Sequence, residues 1–226
     1  MIKAFSTLAV QGALPGLVAR YQAASGNTVD VHFAPTNGIL ERIANGETAD
    51  VAILTRTALD DLANKGVVRA DSVTDIALSH VGIAVKAGAT NPDIASVDAL
   101  KSALLSASSI AYSRIGASGV FFAGLIRRLG IADAVNAKAI VTAGLTGEVV
   151  ARGEADLAVQ QISELMQVPG LDIVGPLPLG AESITMFSAG VFSASEKAAA
   201  GRALIGALRS PQAGNAFAAA GLQRPM

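Results

Sequence analysis

The chain has 226 residues, 51% of them hydrophobic, with a formal net charge of -1 and no cysteine. That length and apolar content can bury a large core, as one domain or two small ones, while 17 Lys and Arg residues scattered without a polybasic run leave no electrostatic footprint for nucleic acid. The missing cysteines exclude disulfides, thiolate nucleophiles and cysteine-based metal sites, and no apolar run reaches the roughly eighteen residues that suggest insertion into a membrane.

Residues 2–5 read as a short strand, and residues 10–24 place Val10, Ala13, Leu14, Leu17, Val18 and Tyr21 at helical spacing before Gly26 stops the pattern. Residues 28–34 alternate Val29, Val31 and Phe33 against Thr28, Asp30 and His32 until Pro35 breaks the strand. A second helical pattern starts at Ile39 and ends at Asn45-Gly46, and residues 51–54 form an apolar run expected to be buried on both faces. Residues 80–86 are an apolar stretch expected to cross into a second lobe. The same order then repeats: strand 109–112, helix 118–129, strand 139–142, helix 146–151, strand 157–159. After the proline-rich segment 174–178, residues 185–192 are expected to cross back, and helices over 195–208 and 211–220 to pack on the first lobe.

The repetition is visible in the residues themselves. Gly46-Glu47-Thr48-Ala49-Asp50-Val51-Ala52-Ile53 recurs, one residue shorter, as Gly153-Glu154-Ala155-Asp156-Leu157-Ala158-Val159, and the displacement that maps Gly46 onto Gly153 also maps Ser6 onto Ser113. Agreement at two separated places argues for two copies of one β-α-β-α-β unit. The expectation is an α/β protein of two lobes, each a mainly parallel sheet flanked by helices, with lobe 1 formed by residues 1–80 and 190–226 and lobe 2 by residues 81–189. Two crossings would make a two-segment hinge, and two facing lobes a cleft.

In parallel sheets the strand C-terminal ends lead into helix N-termini, where backbone N–H groups and the helix dipole favour an anion. Four such loops carry hydroxyls or amides among small residues: Ser6-Thr7, Thr36-Asn37-Gly38, Ser113 to Gly119, and Ala143 to Thr146. The plain alternative is that these residues are helix caps, and the recurrence in both halves favours ligand binding at Ser6, Thr36 and Ser118. Arg114 stands in the Gly- and Ser-containing loop after a buried strand, where a fixed cation could pair bidentately with a carboxylate. The competing role is a surface arginine paired with a nearby acid. Arg56 is a weaker second cation, and Gln160 and Gln161 offer neutral amides at the equivalent place in the second half.

Other chemistries find little support. Gly116-Ala117-Ser118-Gly119-Val120 lacks the final glycine of a nucleophile elbow. Neither nucleotide-binding glycine pattern occurs, so no cofactor is expected. His32 and His80 do not form a metal-ligand pair, and no metal is expected. The opening Met1-Ile2-Lys3-Ala4-Phe5-Ser6 has no secretory-signal pattern, which implies a cytoplasmic protein if Met1 is native and a periplasmic one if a leader was removed.

The opening Phe5-Ser6-Thr7, the Phe33 to Gly46 segment with Thr36-Asn37, the Gly46 to Asp50 turn and the Ser113 to Gly119 segment together resemble the type II periplasmic solute-binding proteins of ABC transporters, especially the molybdate-binding branch. The resemblance covers nearly the whole chain. It implies a ligand clamped between two lobes by hydroxyls and backbone N–H groups, with hinge closure, and an ABC permease as partner if the protein is exported. The site it points to comprises Ser6, Thr7, Thr36, Asn37, Arg114, Ser118, Gly119 and Gln161.

The chain departs from the molybdate pattern at Ala9, where that branch places a serine, at Gln161, where a ligand-contacting tyrosine is expected, and at Ala117-Ser118-Gly119, where it has proline-alanine-glycine. Arg114 is an added cation, which implies an extended anion such as an organic di- or tricarboxylate rather than a compact oxyanion. Proteins similar to this branch include isomerases of unsaturated tricarboxylates such as aconitate. Their chemistry needs a base beside a clamped carboxylate, and His80, Tyr112, Glu148 and Glu164 are the conceivable bases. The reading placed first is a binding protein for a small carboxylate or oxyanion, without chemistry, and the isomerase comes second. A third, an effector-sensing domain of a transcription regulator, lacks a helix-turn-helix segment.

Overall fold

The computed structural model describes residues 1–225. The chain forms a two-lobed α/β fold. Contacts divide it into two units, one formed by residues 1–79 together with the segment from Thr185 onward, the other by residues 80–184.

Unit 1 begins with β1 (Ile2–Ser6), a 3-10 turn (Leu8–Val10), α1 (Leu14–Ser25), β2 (Val29–Phe33), α2 (Thr36–Ala44), β3 (Val51–Thr55), α3 (Arg56–Asn64) and a second 3-10 turn (Ala70–Ser72). The long β4 (Thr74–Lys86) carries the chain into unit 2, which contains α4 (Val97–Ser106), β5 (Ile110–Ser113), α5 (Ala117–Arg128), α6 (Ala132–Asn136), β6 (Ala139–Thr142), α7 (Gly147–Ala151), β7 (Leu157–Gln161), α8 (Ile162–Leu165) and β8 (Leu171–Pro176). Strand β9 (Ile184–Val191) returns to unit 1, completed by α9 (Ala198–Leu208) and α10 (Pro211–Ala219).

In unit 1, β1 runs parallel to both β2 and β3, and β9 lies antiparallel on β3. Unit 2 repeats the theme: β5 runs parallel to β6 and β7, while β4 is antiparallel to β7 and to β8. The alternation of side chains along each central strand then separates two cores. Val51 and Ile53 of β3 join the cluster of α1, α9 and α10, whereas Ala52 and Leu54 join that of α2 and α3. Likewise Ile110, Tyr112, Leu157 and Val159 face the cluster of α4, α5 and α6, and Ala111 and Ala158 face that of α7. Strands sandwiched this way must be apolar on both faces, and residues 51–54 are fully covered.

Two helices start away from where their periodicity begins. Val10 belongs to a 3-10 turn, and α1 starts at Leu14 with Pro15 in its first turn, the place where the missing N–H and fixed φ of proline do no harm. Conversely α2 already starts at Thr36, directly behind Pro35.

The duplicated sequence motif is a duplicated turn. Gly46 and Gly153 follow α2 and α7 with φ of 90° and 78°, a left-handed conformation open to glycine. In both copies the glycine N–H and the next N–H close the helix end, Gly46 to Ile43 and Glu47 to Arg42 in one, Gly153 to Val150 and Glu154 to Val149 in the other. The aspartate that follows then accepts a backbone N–H near the start of the unit's first strand, Lys3 to Asp50 at 2.8 Å and Ser108 to Asp156 at 2.7 Å.

Candidate functional site

In unit 1 the ends of β1, β2 and β3 come level, with Ser6 opposite Phe33 and Ile53. Ser6 is fully buried, and its hydroxyl donates to the Thr7 carbonyl at 3.2 Å. The Thr7 N–H donates to the Ile53 carbonyl at 2.9 Å and the Ala34 N–H to the Ser6 carbonyl at 3.1 Å, tying the three strand ends together. Thr36 is the first helical residue of α2 and is buried; Asn37 beside it is exposed. The first backbone bond of α2 is from Ile39 N–H to Pro35, so the N–H groups of Thr36, Asn37 and Gly38 have no intrahelical acceptor.

These hydroxyls are not acting as caps. No side chain caps the turn after Thr7 or the start of α2, and among the described residues the Thr7 and Thr36 hydroxyls have no protein partner, although both residues are buried. The contrast within the same unit is clear at α3, where the Thr55 hydroxyl accepts the Ala58 N–H at 3.4 Å. Arg56 is committed to acids, donating to Asp60 at 2.8 Å and to Asp75 at 3.1 Å, and so is no free cation for a ligand.

In unit 2 the ends of β5, β6 and β7 also come level, with Ser113 opposite Thr142 and Tyr112 opposite Val159. The Ser113 hydroxyl accepts the N–H groups of Ile115 (3.3 Å) and Gly116 (3.2 Å), turning the chain into α5. A Cβ at Gly119 would lie 1.4 Å from the Ser113 carbonyl oxygen, so only glycine lets the first turn of α5 rest on the end of β5. As the first helical bond is from Val120 N–H to Gly116, the N–H groups of Ala117, Ser118 and Gly119 lack intrahelical acceptors. Ser118 is buried, no side chain caps α5, and among the described residues the Ser118 hydroxyl has no protein partner.

Arg114 is exposed and, unlike Arg56, engages no acid among the described residues. It lines a cavity of about 400 Å³ with Gly119, Arg127, Tyr112 and Asn136 on the face of α5. Arg127 is equally without an ion-pair partner among the described residues, while the Tyr112 hydroxyl donates to Asn136 Oδ1 at 2.7 Å. Two uncompensated guanidinium groups at one cavity make a place where a carboxylate would be favoured.

The third loop of unit 2 is held by an amide network. The Thr146 N–H and hydroxyl both donate to Gln160 Oε1, at 2.7 and 2.9 Å, and Gln160 Nε2 donates to the Gly144 carbonyl at 3.3 Å. Gln161, buried at the end of β7, leads into α8, where Glu164 is only 8% exposed. Burial pushes the Glu164 carboxyl up to about 7, against the hydrogen bonds from the Gln161 N–H and the Gln160 side chain that favour its ionised form. Among the described residues no three His, Asp or Glu side chains gather as a metal site, and His32 instead contacts the Arg42 guanidinium.

Residues 2–223 match the family model described as bacterial extracellular solute-binding protein. The chain belongs to that family. It is 39% identical over 221 residues to an aconitate isomerase from a Pseudomonas species, covering 95% of this chain and 84% of that protein. Among solved structures it superposes on the periplasmic molybdate-binding protein of Azotobacter vinelandii with a TM-score of 0.83, at 18% identity and complete coverage of both chains. The sulfate-binding protein of Mycobacterium tuberculosis follows with a TM-score of 0.82, at 16% identity, covering 99% of this chain and 86% of that one. The fold is thus the one shared by these periplasmic binding proteins.

The similarity to an isomerase reverses one expectation. The residues by themselves placed binding without chemistry ahead of catalysis, and 39% identity over most of the chain to aconitate isomerase puts enzymatic activity first. The sequence also passed over Arg127, whose spacing from Val120, Ala123 and Gly124 along α5 would have shown that it shares their face, and it did not separate Glu164 from the other candidate bases.

Proposed function

We propose that this solute-binding-family protein is an isomerase of an unsaturated tricarboxylate such as aconitate. The observation that carries this reading is the 39% identity to an aconitate isomerase over 95% of the chain. The local chemistry agrees with it. Each unit, taken by itself, offers a strand-end edge with uncapped helix N–H groups suited to a carboxylate, and among the described residues the buried Thr7 and Thr36 hydroxyls of unit 1 and the buried Ser118 hydroxyl of unit 2 have no protein partner; Ser6 and Asn37 lie at the first edge and Gly119 and Gln161 at the second. Arg114 adds a cation with no acidic partner among the described residues.

The reaction is a 1,3-shift of a proton. A base removes a proton from the methylene carbon, the double bond moves by one position, and the proton returns to the former vinylic carbon. Charge builds up on the carboxylates of the delocalised intermediate, where fixed N–H donors and a guanidinium stabilise it. Atoms and electrons balance without an oxidant or cofactor. The test is direct: purified protein incubated with cis- or trans-aconitate and followed by NMR should convert one isomer into the other.

A second reading, supported by the family and the fold, is an anion-binding protein that delivers its ligand to an ABC permease, with a periplasmic location. A protein that binds a carboxylate tightly and returns it unchanged would establish this reading and remove the first. Among the described residues no helix is long and apolar enough to cross a membrane.

A further inference from the structure

Four side chains were conceivable bases, and the structure separates them. The Tyr112 hydroxyl is engaged with Asn136, and Glu148 is exposed on α7. His80 is half-buried on β4, next to Val81, which pairs with Gln161. Glu164 alone is a carboxylate enclosed at the edge where β5, β6 and β7 end.

Its placement is built from several directions. α8 follows β7 without a loop, and a Cβ at Gly82 of β4 would lie 2.6 Å from the Ile162 side chain, so the bare backbone of β4 is what lets α8 sit so close. Gln160 can face Glu164 in only one way. Its oxygen is claimed by two donors of Thr146, which leaves the Nε2 protons for Gly144 and the Glu164 carboxylate. Of the charged groups on the neighbouring elements, Asp172 of β8 accepts the Gly88 N–H, Arg152 of α7 pairs with Glu154, Arg128 of α5 lies over Phe121 and Asp75 of β4 pairs with Arg56; Arg127, Glu148, His80 and Lys86 are further titratable groups on these elements.

Resting on the isomerase reading, we infer that Glu164 is the catalytic base that takes the proton from the methylene carbon of the tricarboxylate and returns it to the neighbouring vinylic carbon, with Gln160 as its positioning residue. The carboxyl ends the cycle as it began, which suits a residue that must act as base and then as acid within one turnover. A proton affinity near neutrality serves both half-steps.

The experiment uses the full chain and both aconitate isomers. The wild-type protein should interconvert them; if it does not, the isomerase reading falls, and this inference with it. If it does, Glu164→Gln should lower turnover by roughly 10²–10⁴-fold while retaining the thermal shift produced by aconitate, and Glu164→Asp should recover part of the loss. In the wild type, turnover should rise with pH as the carboxyl ionises. Gln160→Ala should shift the midpoint of that profile, an effect that a merely structural glutamine would not have. A folded Glu164→Gln protein that turns over at the wild-type rate, or loss of turnover in His80→Gln with full activity in Glu164→Gln, would overturn the assignment and leave the isomerase reading standing.

Discussion

The duplicated turn offers a comparison of one motif in two settings. Asp50 is 7% exposed and accepts three donors: the Lys3 N–H at 2.8 Å, the Ser195 hydroxyl at 2.7 Å and the Lys197 ammonium at 3.4 Å. Asp156, its counterpart, is exposed and accepts the Ser108 N–H alone. Replacing Asp50 by Ala strands a backbone donor and a buried hydroxyl, each costing about 1–3 kcal/mol. The ion pair to Lys197 adds little, because that side chain is half exposed. The sum is roughly 2–6 kcal/mol, or about 4–24 °C in Tm for a chain of this size. Asp156→Ala removes one exposed bond, whose donor can turn to water, and should cost no more than about 1 kcal/mol.

Urea denaturation and thermal melts of the two variants at neutral pH measure this difference. Acid titration adds an independent check. Burial pushes the Asp50 carboxyl up, but the bonds from Ser195 and Lys3 together with the Lys197 charge outweigh it and hold the group below its ordinary value. Its contribution is therefore present above the unfolded value and lost as pH falls through the lower folded one. The gap between wild type and Asp50→Ala should close in acid. Equal losses in the two variants, or a larger loss in Asp156→Ala, would refute the argument that burial and partner number, rather than the motif, set the cost.

Three further outcomes are expected. Glu164 titrates in the opposite sense to Asp50: with the folded carboxyl at about 7 and the unfolded one at 4.5, the folded state holds a proton the unfolded state has released, and stability should fall between those values by up to about 3 kcal/mol. Glu164→Gln should flatten that slope and melt above the wild type at pH 8, as read by thermal denaturation across pH. Gly119→Ala drives a methyl into the Ser113 carbonyl and should destabilise by about 1–3 kcal/mol or more, with weakened aconitate binding, seen in a melt and a ligand-shift assay. Arg114→Ala should raise KM for aconitate with little change in Tm, since its exposed side chain makes no hydrogen bond or ion pair among the described residues; unchanged binding would remove the arginine from the site.

How much of this the sequence showed depended on whether local pattern decided the outcome. The central strands β3, β5 and β7 were legible as apolar runs because they are buried on both faces, β2 was legible because its apolar residues alternate until Pro35, and the turn at Gly46 and Gly153 was legible because the glycines must be left-handed. α3 was not, since Arg56, Asp60 and Asp61 crowd its exposed face and only Ala58, Leu59 and Leu62 are buried. β8 was hidden by Gly175 and Pro176, which read as a loop but lie against β4 at a register shift.

The same division runs through the site. Serine and threonine at a helix start look alike whether they cap the helix or await a ligand, and the choice is made by what surrounds them: Thr55 bonds its own helix, whereas the helix start at Thr36 carries no side-chain cap. For Glu164 the local signal points the wrong way, because an acid in the first turn of a helix ordinarily faces water and favours its charged form through the dipole. What encloses it is distant in sequence. Gly82 removes a side chain from β4 so that Ile162 can close down, and Thr146 turns the Gln160 amide toward the carboxylate. A carboxyl raised toward neutrality thus results from packing that three separate segments contribute, and its cost to stability as the pH rises to 7 is the mark expected of the base proposed for this position.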